Sequence, residues 1–349
     1  MKLKIAELAP IAWRTPPKNY GPWELVVSLI TEGLVKRGHK VTLFATADSI
    51  TKAKLVSVCP RPYNEDSTIN TRLYECWHNS TCYEMADQFD LIHNHFDFPP
   101  LTYSKLVKTP TVTTVHGFDN PEIIKLYRKY KDNYYISISF SDRKHAPDLN
   151  WAGNVYHGLN LEQFTFNDQP KDYLLFLGRI AEDKGTHLAI EVAKQSRREL
   201  IISGIVPPEE EEYFAEKVKP KIDNKQIRFV GPADPIKRDQ LFRNAYASLH
   251  LIKFDEPFGL TLIESMACGT PVIAINRGSI PEIIKDGRTG FVVKDEKEAA
   301  DKVMEISKIK RFDCRKRVEE NFTLDVMVEN YLKIFEKILQ LEKIKNQNQ

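Results

Sequence analysis

Cysteine is scarce in this chain, and its spacing suggests no pairing. The five cysteines, Cys59, Cys76, Cys82, Cys268 and Cys314, are odd in number and include no Cys-x-x-Cys. That excludes a disulfide framework and a cysteine zinc site, and points to buried or incidental thiols in a reducing compartment. Excess charge is missing as well: 50 Lys and Arg against 48 Asp and Glu leave a formal net charge of +2, so bulk nucleic-acid binding is not indicated. No apolar run approaches the roughly 20 residues needed to cross a bilayer. The start, Met1-Lys2-Leu3-Lys4-Ile5-Ala6-Glu7-Leu8, is interrupted by charge and too short for a signal-peptide core, so it reads as a first strand, with the cytoplasm as the expected compartment. Gly/Ser-rich and low-complexity linkers are also absent.

What is present is a repeating alternation of strands and helices. With 349 residues, 42% hydrophobic and 28% charged, the chain has the composition of a soluble globular protein and the length for two domains. After the first strand a loop rich in Pro and aromatics runs from Ala9 to Gly21. An amphipathic helix follows from about Pro22 to Arg37, stopped by Gly38, and Val41 to Ala45 resumes as a strand. Further units follow: a strand at Lys54 to Val58, a helix from Thr71 to Gln88, a strand at Asp90 to His93, a helix from Pro99, and strands at Thr111 to Val115, Tyr134 to Ile138 and Gly153 to Tyr156. A second series begins at Asp172 to Leu177 and continues at Leu200, Ile227 and Ala247, and a long helix of mixed apolar and charged residues runs from about Leu324 to Lys345. Such alternation builds parallel sheets covered by helices on both faces. The first unit lacks the Gly-x-Gly-x-x-Gly turn, with Leu8-Ala9-Pro10-Ile11-Ala12-Trp13 in its place, which argues against a dinucleotide enzyme.

The informative stretch is Glu256-Pro257-Phe258-Gly259-Leu260-Thr261-Leu262-Ile263-Glu264-Ser265-Met266-Ala267-Cys268-Gly269-Thr270-Pro271. It reads as a loop, a short helix and the stop before a buried strand. Glu264 stands in an otherwise apolar helix, where a carboxylate is costly without a hydrogen-bonding partner. The helix has no acidic N-cap, so the free N–H groups of Gly259, Leu260 and Thr261 form a seat for an anionic group such as a diphosphate. Glu264, one turn on, is placed to accept hydrogen bonds from hydroxyls attached to that guest. The plain structural reading, in which Glu256 favours the helix dipole and Glu264 is a paired buried acid, stands beside this one.

The Glu256-x7-Glu264 spacing with Pro257-Phe258-Gly259 between resembles the Glu-x7-Glu signature of the retaining, family-four glycosyltransferases, relatives of glycogen and sucrose synthases. The likeness extends over nearly the whole chain. It implies an α/β GT-B fold: two Rossmann-like parallel-sheet domains facing a cleft, with a C-terminal helix crossing back to the first. The expected division is 1–157 as the acceptor-side domain, joined by the helix at about 331–349, and 158–330 as the nucleotide-sugar domain.

The resemblance also distributes roles. Arg179 and Lys184 are expected to hold a donor diphosphate together with the Gly259, Leu260 and Thr261 amides, Glu264 the ribose, and Glu256 and His116 the transferred sugar between them. Gly21 stands where the family usually carries paired glycines. Trp13, Arg14, Tyr20 and Trp23 surround it, either stacking on an acceptor sugar or anchoring the loop. Departures include Pro22 at the second glycine position, His157 where Asn is common, and Ile252-Lys253 in place of Pro-Ser. The expected partners are a nucleotide-sugar donor and a sugar, lipid or small-molecule acceptor, with no nucleic acid. Base, hexose and acceptor remain open. The basic and aromatic run Lys125 to Lys131 is either a solvated face or a contact with the inner membrane surface.

No cofactor and no metal are expected. His93 and His95 point the same way along a strand with no third ligand nearby in sequence, and His95 or Asp97 is alternatively placed to meet the acceptor. The chain has no Asp-x-Asp, the pair that commonly carries Mn2+ or Mg2+ in the other large transferase fold. Rival readings on the same scaffold are a sugar-nucleotide epimerase, a phosphorylase, for which no pyridoxal lysine is identified, and a non-catalytic sugar-nucleotide-binding subunit.

Overall fold

Strands buried on both faces favour apolar residues over a polar alternation, and Lys4–Leu8, Leu91–Asn94 and Thr111–Val115 are buried almost residue by residue, with Glu7, His93 and Asn94 among the polar exceptions. The computed structural model describes residues 2–18, 21–118 and 120–347. Met1 of the expected first strand and Tyr20 of the first loop lie outside the described residues. By its contacts the chain divides into two units, one of residues Met1–Gly158 with Leu324–Gln349 and one of Leu159–Thr323.

The first unit contains a seven-stranded, wholly parallel sheet. In chain order its strands are β1 (Lys4–Leu8), β2 (Lys40–Phe44), β3 (Lys54–Val56), β4 (Leu91–Asn94), β5 (Thr111–Val115), β6 (Tyr134–Ser137) and β7 (Trp151–Asn154), arranged β3-β2-β1-β4-β5-β6-β7. Helices α1 (Pro22–Lys36), α2 (Thr71–Glu84) and α3 (Pro121–Lys129) cross between strands. Asn70 caps α2, its side chain accepting from the Leu73 N–H at 3.0 Å. The helix expected from Pro99 is only two short 3-10 turns, Pro99–Thr102 and Ser104–Leu106. Pro99 and Pro100 bring no N–H, and Pro110 closes the segment before a longer helix can propagate.

One face of this sheet carries Leu3, Ile5, Leu91, Val112 and Ile136 against Val26, Ile30 and Leu34 of α1. The other carries Ala6, Leu8, Phe44 and Ile92 against Cys82 and Tyr83 of α2. The long C-terminal helix, spanning Leu324–Gln347, completes the first face with Met327, Val328, Tyr331, Phe335 and Ile338, all fully buried. At about 1.5 to 3 kcal/mol for each large apolar side chain removed from water, that contact accounts for why residues so late in the sequence belong to the first unit. Gly33 of α1 makes the close approach: a Cβ there meets Val328 Cγ2 at 2.5 Å.

The second unit holds a six-stranded parallel sheet of β8 (Tyr173–Leu177), β9 (Glu199–Ser203), β10 (Ile227–Phe229), β11 (Ala247–His250), β12 (Val272–Ile275) and β13 (Gly290–Val293), ordered β10-β9-β8-β11-β12-β13. Its helices are α4 (Thr186–Gln195), the single turn α5 (Glu211–Tyr213), α6 (Pro235–Asn244), α7 (Leu260–Ala267), α8 (Ile280–Ile283), α9 (Glu296–Val303) and α10 (Arg311–Asn321), and the C-terminal helix is α11. Both units are therefore parallel α/β sheets with helical crossovers.

If the α1–α11 contact carries this weight, Gly33→Leu should lower the urea midpoint with unchanged m, a loss of about 1 to 3 kcal/mol. Gly38→Asn is the control: Gly38 is exposed at φ +83°, a conformation Asn tolerates, so its effect should stay within about 0.5 kcal/mol. Equal stability of Gly33→Leu and wild type would contradict the packing.

Candidate functional site

In a parallel sheet every strand delivers its carboxyl end to the same edge, where open α/β sheets collect their polar groups. In the second unit, β8 runs out into Gly178-Arg179 and β11 into His250 and the loop ending at Glu256. Gly185, at φ +73° in front of α4, has a position where any Cβ would collide with the Leu251 carbonyl. Only glycine allows that approach. It brings Lys184 against the segment after β11, where its Nζ lies 3.3 Å from Glu256 Oε2 and 4.4 Å from the centre of the Phe254 ring.

Glu256 is 9% exposed and takes a second contact from His250 Nε2 at 3.2 Å. Burial raises its affinity for a proton, but the His250 hydrogen bond and the Lys184 charge together outweigh burial and hold the carboxyl at about 2. It is thus an ionised, pinned carboxylate. Its backbone is clamped too: the Glu256 carbonyl accepts from the Ser279 N–H at 2.9 Å, Ser279 Oγ donates to the Phe258 carbonyl at 2.9 Å, and Gly278 leaves no room for a Cβ beside Glu256.

Gly259 begins α7 at φ +85° without any side-chain cap, so the first N–H groups of the helix, those of Leu260 and Thr261 among them, keep their donor capacity. Thr261 lines a small recess with Leu177, Phe242, Ser248, His250 and Leu262, and Leu177 is two residues before Arg179. Arg179 is half-buried and makes no hydrogen bond or ion pair with the described residues. Glu264 is 3% exposed and meets Arg238 Nη1 of α6 at 3.1 Å. Burial pushes its carboxyl up, and the Arg238 charge only partly opposes this. The second unit therefore assembles Lys184, Glu256, Gly259 and Thr261 around one strand edge. Arg238, Gly278 and Ser279 were missed by sequence reasoning because each acts through a neighbour distant in the chain; His250, six residues from Glu256, was missed because no local pattern sets a histidine at a strand end against that carboxylate.

In the first unit, His116 follows β5 and is buried, with the Trp23 ring stacked on it at 5.2 Å and 20°. The Trp23 ring is thereby packed on a histidine, and the Trp13 backbone N–H donates to Glu24 Oε1 at 3.1 Å, which ties the loop to the start of α1. Burial lifts the Glu24 carboxyl to about 7. Gly21, at φ +146°, starts α1, and a Cβ there would press on Glu24, Pro17 and Trp13 at 3.0 to 3.1 Å. Burial also keeps the imidazoles neutral, lowering His93 to about 3 and His95 to about 4, and His116 falls well below its ordinary range.

The third partner that the His93–His95 pair lacked along the sequence is present in space. Glu7 of β1 sits directly across from His93 in the β1–β4 register, fully buried, with burial pushing its carboxyl up. The available signal was a carboxylate inside the otherwise apolar run from Ile5 to Leu8. Asp97, by contrast, accepts from Tyr127 Oη at 2.5 Å. In the basic and aromatic run Lys125 to Lys131, Tyr127 and Tyr130 are core, while Lys125 pairs with Glu122 and Arg128 with Asp148 in the open. Among the described residues no helix is long and apolar enough to cross a membrane.

Comparison with known proteins matches residues 160–323 to the family described as Glycosyl transferases group 1 and residues 24–150 to Glycosyltransferase Family 4. The chain is 25% identical to the O-antigen chain mannosyltransferase C of Escherichia coli over 93% of this chain and 96% of that one. It is 33% identical to the D-inositol 3-phosphate glycosyltransferase of Streptomyces scabiei over 45% of this chain and 41% of the relative. Among solved structures, the sucrose-phosphate synthase of Thermosynechococcus elongatus superimposes with a TM-score of 0.79 at 18% identity, covering 97% of this chain and all of that one. Alr3699/HepE of Anabaena, solved in complex with UDP, gives 0.75 at 16% identity with 97% and 100% coverage. With both halves matched by glycosyltransferase families and the two parallel sheets shared with these structures, the chain belongs to the family-four glycosyltransferases of GT-B fold.

Proposed function

We propose that this enzyme moves a hexosyl unit from a nucleoside diphosphate sugar to a hydroxyl acceptor, with retention of configuration. The observation that carries the reading is the Glu256 carboxylate, kept ionised by Lys184 and His250 beside the uncapped start of α7. An anionic diphosphate is drawn to that helix start. Arg179, whose guanidinium is free of other described partners, and Lys184 then neutralise the leaving group as the glycosidic bond breaks.

In this reading Glu264 accepts from ribose hydroxyls and Glu256 from hydroxyls of the sugar. Glu256 is not assigned as a nucleophile: the departing phosphate takes the acceptor proton on the same face of the sugar. His116 is assigned to turnover by the family resemblance, and its Nδ1 is buried without a hydrogen-bond partner among the described residues. No metal is needed at the diphosphate, because the two cationic side chains supply the charge. Alr3699/HepE has been solved in complex with UDP-glucose, which supports a nucleotide-sugar donor here.

Thermal-shift screening against UDP-, GDP- and ADP-sugars tests the donor, and a stabilised melting transition with one of them is expected. With that donor, Glu264→Ala should raise the nucleotide Kd about tenfold or more, the scale of one lost charge-assisted hydrogen bond. Glu256→Ala should chiefly lower kcat. Equal nucleotide affinity in Glu264→Ala and wild type would overturn the ribose assignment, and product formed from donor with no acceptor present would mark an epimerase.

The pH dependence of kcat follows from the low Glu256 pKa. A carboxyl depressed from its unfolded value of 4.5 to about 2 stays ionised down to that range, and its contribution is lost only as pH falls through it. His250→Gln removes one of the contacts that hold it down, so the acid limb of kcat should move to higher pH, whereas an unmoved limb would contradict the pairing. Mg2+ should not be required for transfer, and a loss of turnover on adding EDTA that Mg2+ restores would contradict that.

A further inference from the structure

Glu7, His93 and His95 meet on one face of the first unit's sheet, each with no exposed surface. Their ligand atoms form a nearly equilateral triangle: His93 Nδ1 to Glu7 Oε2 is 3.1 Å, His95 Nε2 to Glu7 Oε2 is 3.2 Å, and His93 Nδ1 to His95 Nε2 is 3.1 Å. Despite those separations, Glu7 Oε2 has no hydrogen-bond partner among the described residues. The ring N–H directions miss it.

Glu7 Oε1 and the His93 Nδ1–His95 Nε2 pair are within hydrogen-bond distance, but no proton on either ring reaches Oε2, and the inner protons are lost if both rings donate outward. Each neutral imidazole carries one proton, and the outer nitrogens already have neighbours that can take it: His93 Nε2 lies 2.8 Å from Thr114 Oγ1, and His95 Nδ1 lies 3.0 Å from His116 Nε2. Once those outer contacts are donated, three lone pairs face one another in a dry core, an arrangement that is costly without a cation between them.

We propose that Glu7, His93 and His95 bind one divalent transition-metal ion of the Zn2+ class. A tetrahedral ion with bonds of about 2.0 to 2.1 Å sets its ligand atoms about 3.3 Å apart, and the observed edges come within about 0.3 Å of that spacing. His93 Nδ1 is 3.1 Å from both carboxylate oxygens, so Glu7 has both within reach of the same centre and can offer a fourth donor atom. Two imidazoles and one carboxylate suit Zn2+ and disfavour Mg2+, which prefers oxygen ligands and retains water.

The surroundings match what metal-bound histidines require. His93 Nε2–H donates to Thr114 Oγ1, which in turn donates to Tyr331 Oη at 3.2 Å. His95 Nδ1–H donates to His116 Nε2, which fixes the His116 proton on Nδ1. The ion thus sets the tautomer of the histidine assigned to turnover, although its presence does not depend on that assignment.

The test uses tag-free, full-length protein incubated with Zn2+, exchanged into metal-free buffer and assayed by elemental analysis, with no donor or acceptor present. About one zinc per chain is expected in wild type, and less than a tenth of that in Glu7→Gln and in His95→Gln. Circular dichroism establishes that each variant is folded. Should either fail to fold, Co2+-loaded wild type decides: intense visible bands of a tetrahedral site, bleached by added Zn2+, support the proposal. Zinc well below one per chain in wild type, equal zinc in folded Glu7→Gln, or a Co2+ spectrum like that of the hydrated ion overturns it, the first outcome leaving the triangle a purely protonic network.

Discussion

A parallel strand cannot reverse in a tight turn, so each must be followed by a crossover that returns the chain to the starting edge. That constraint governs both units. It brings Glu7, His95 and His116 to one edge of the first sheet, and Arg179, His250 and the Glu256 loop to one edge of the second. The crossovers cover both faces of each sheet, the strands become largely apolar, and polar residues are left to accumulate where the strands run out. Polar groups inside such strands are therefore conspicuous, and Glu7 and His93 are the clearest of them.

The two polar clusters handle burial differently. Glu256 is buried yet ionised, because a lysine and a histidine contact it directly and overcome the cost of desolvation. Removing one member of such a buried pair leaves an uncompensated charge, which ties Lys184, His250 and Glu256 together as a unit. In the first sheet no cation among the described residues reaches Glu7. Its neighbours are imidazoles held neutral by burial, and its carboxyl is pushed upward. One site carries its own counter-charges; the other has the donor set of a cation site.

Much of this was legible in the sequence, because the signals were local. The strand-helix alternation, the Gly38 stop, the Glu256–Glu264 spacing and the Gly259 helix start rest on neighbours within a turn or two of the chain, and each element formed close to where the pattern put it. The segment after Pro99 failed for a local reason as well: paired prolines lack the N–H groups that propagate a helix. Arg238 facing Glu264, Gly278 under Glu256, and Glu7 across from His93 carry no such mark. Their partners lie 26, 22 and 86 residues away in the chain.

The sequence by itself determined the α/β class, the places where strands end and the residue types able to bind an anion there, because hydrophobic period and turn chemistry are properties of short windows. Only the tertiary structure decided which carboxylates are ionised, which histidines are neutral and which late helix completes the first core. Protonation and burial depend on what packs around a side chain, and here the packing partners come from strands and helices far apart along the chain.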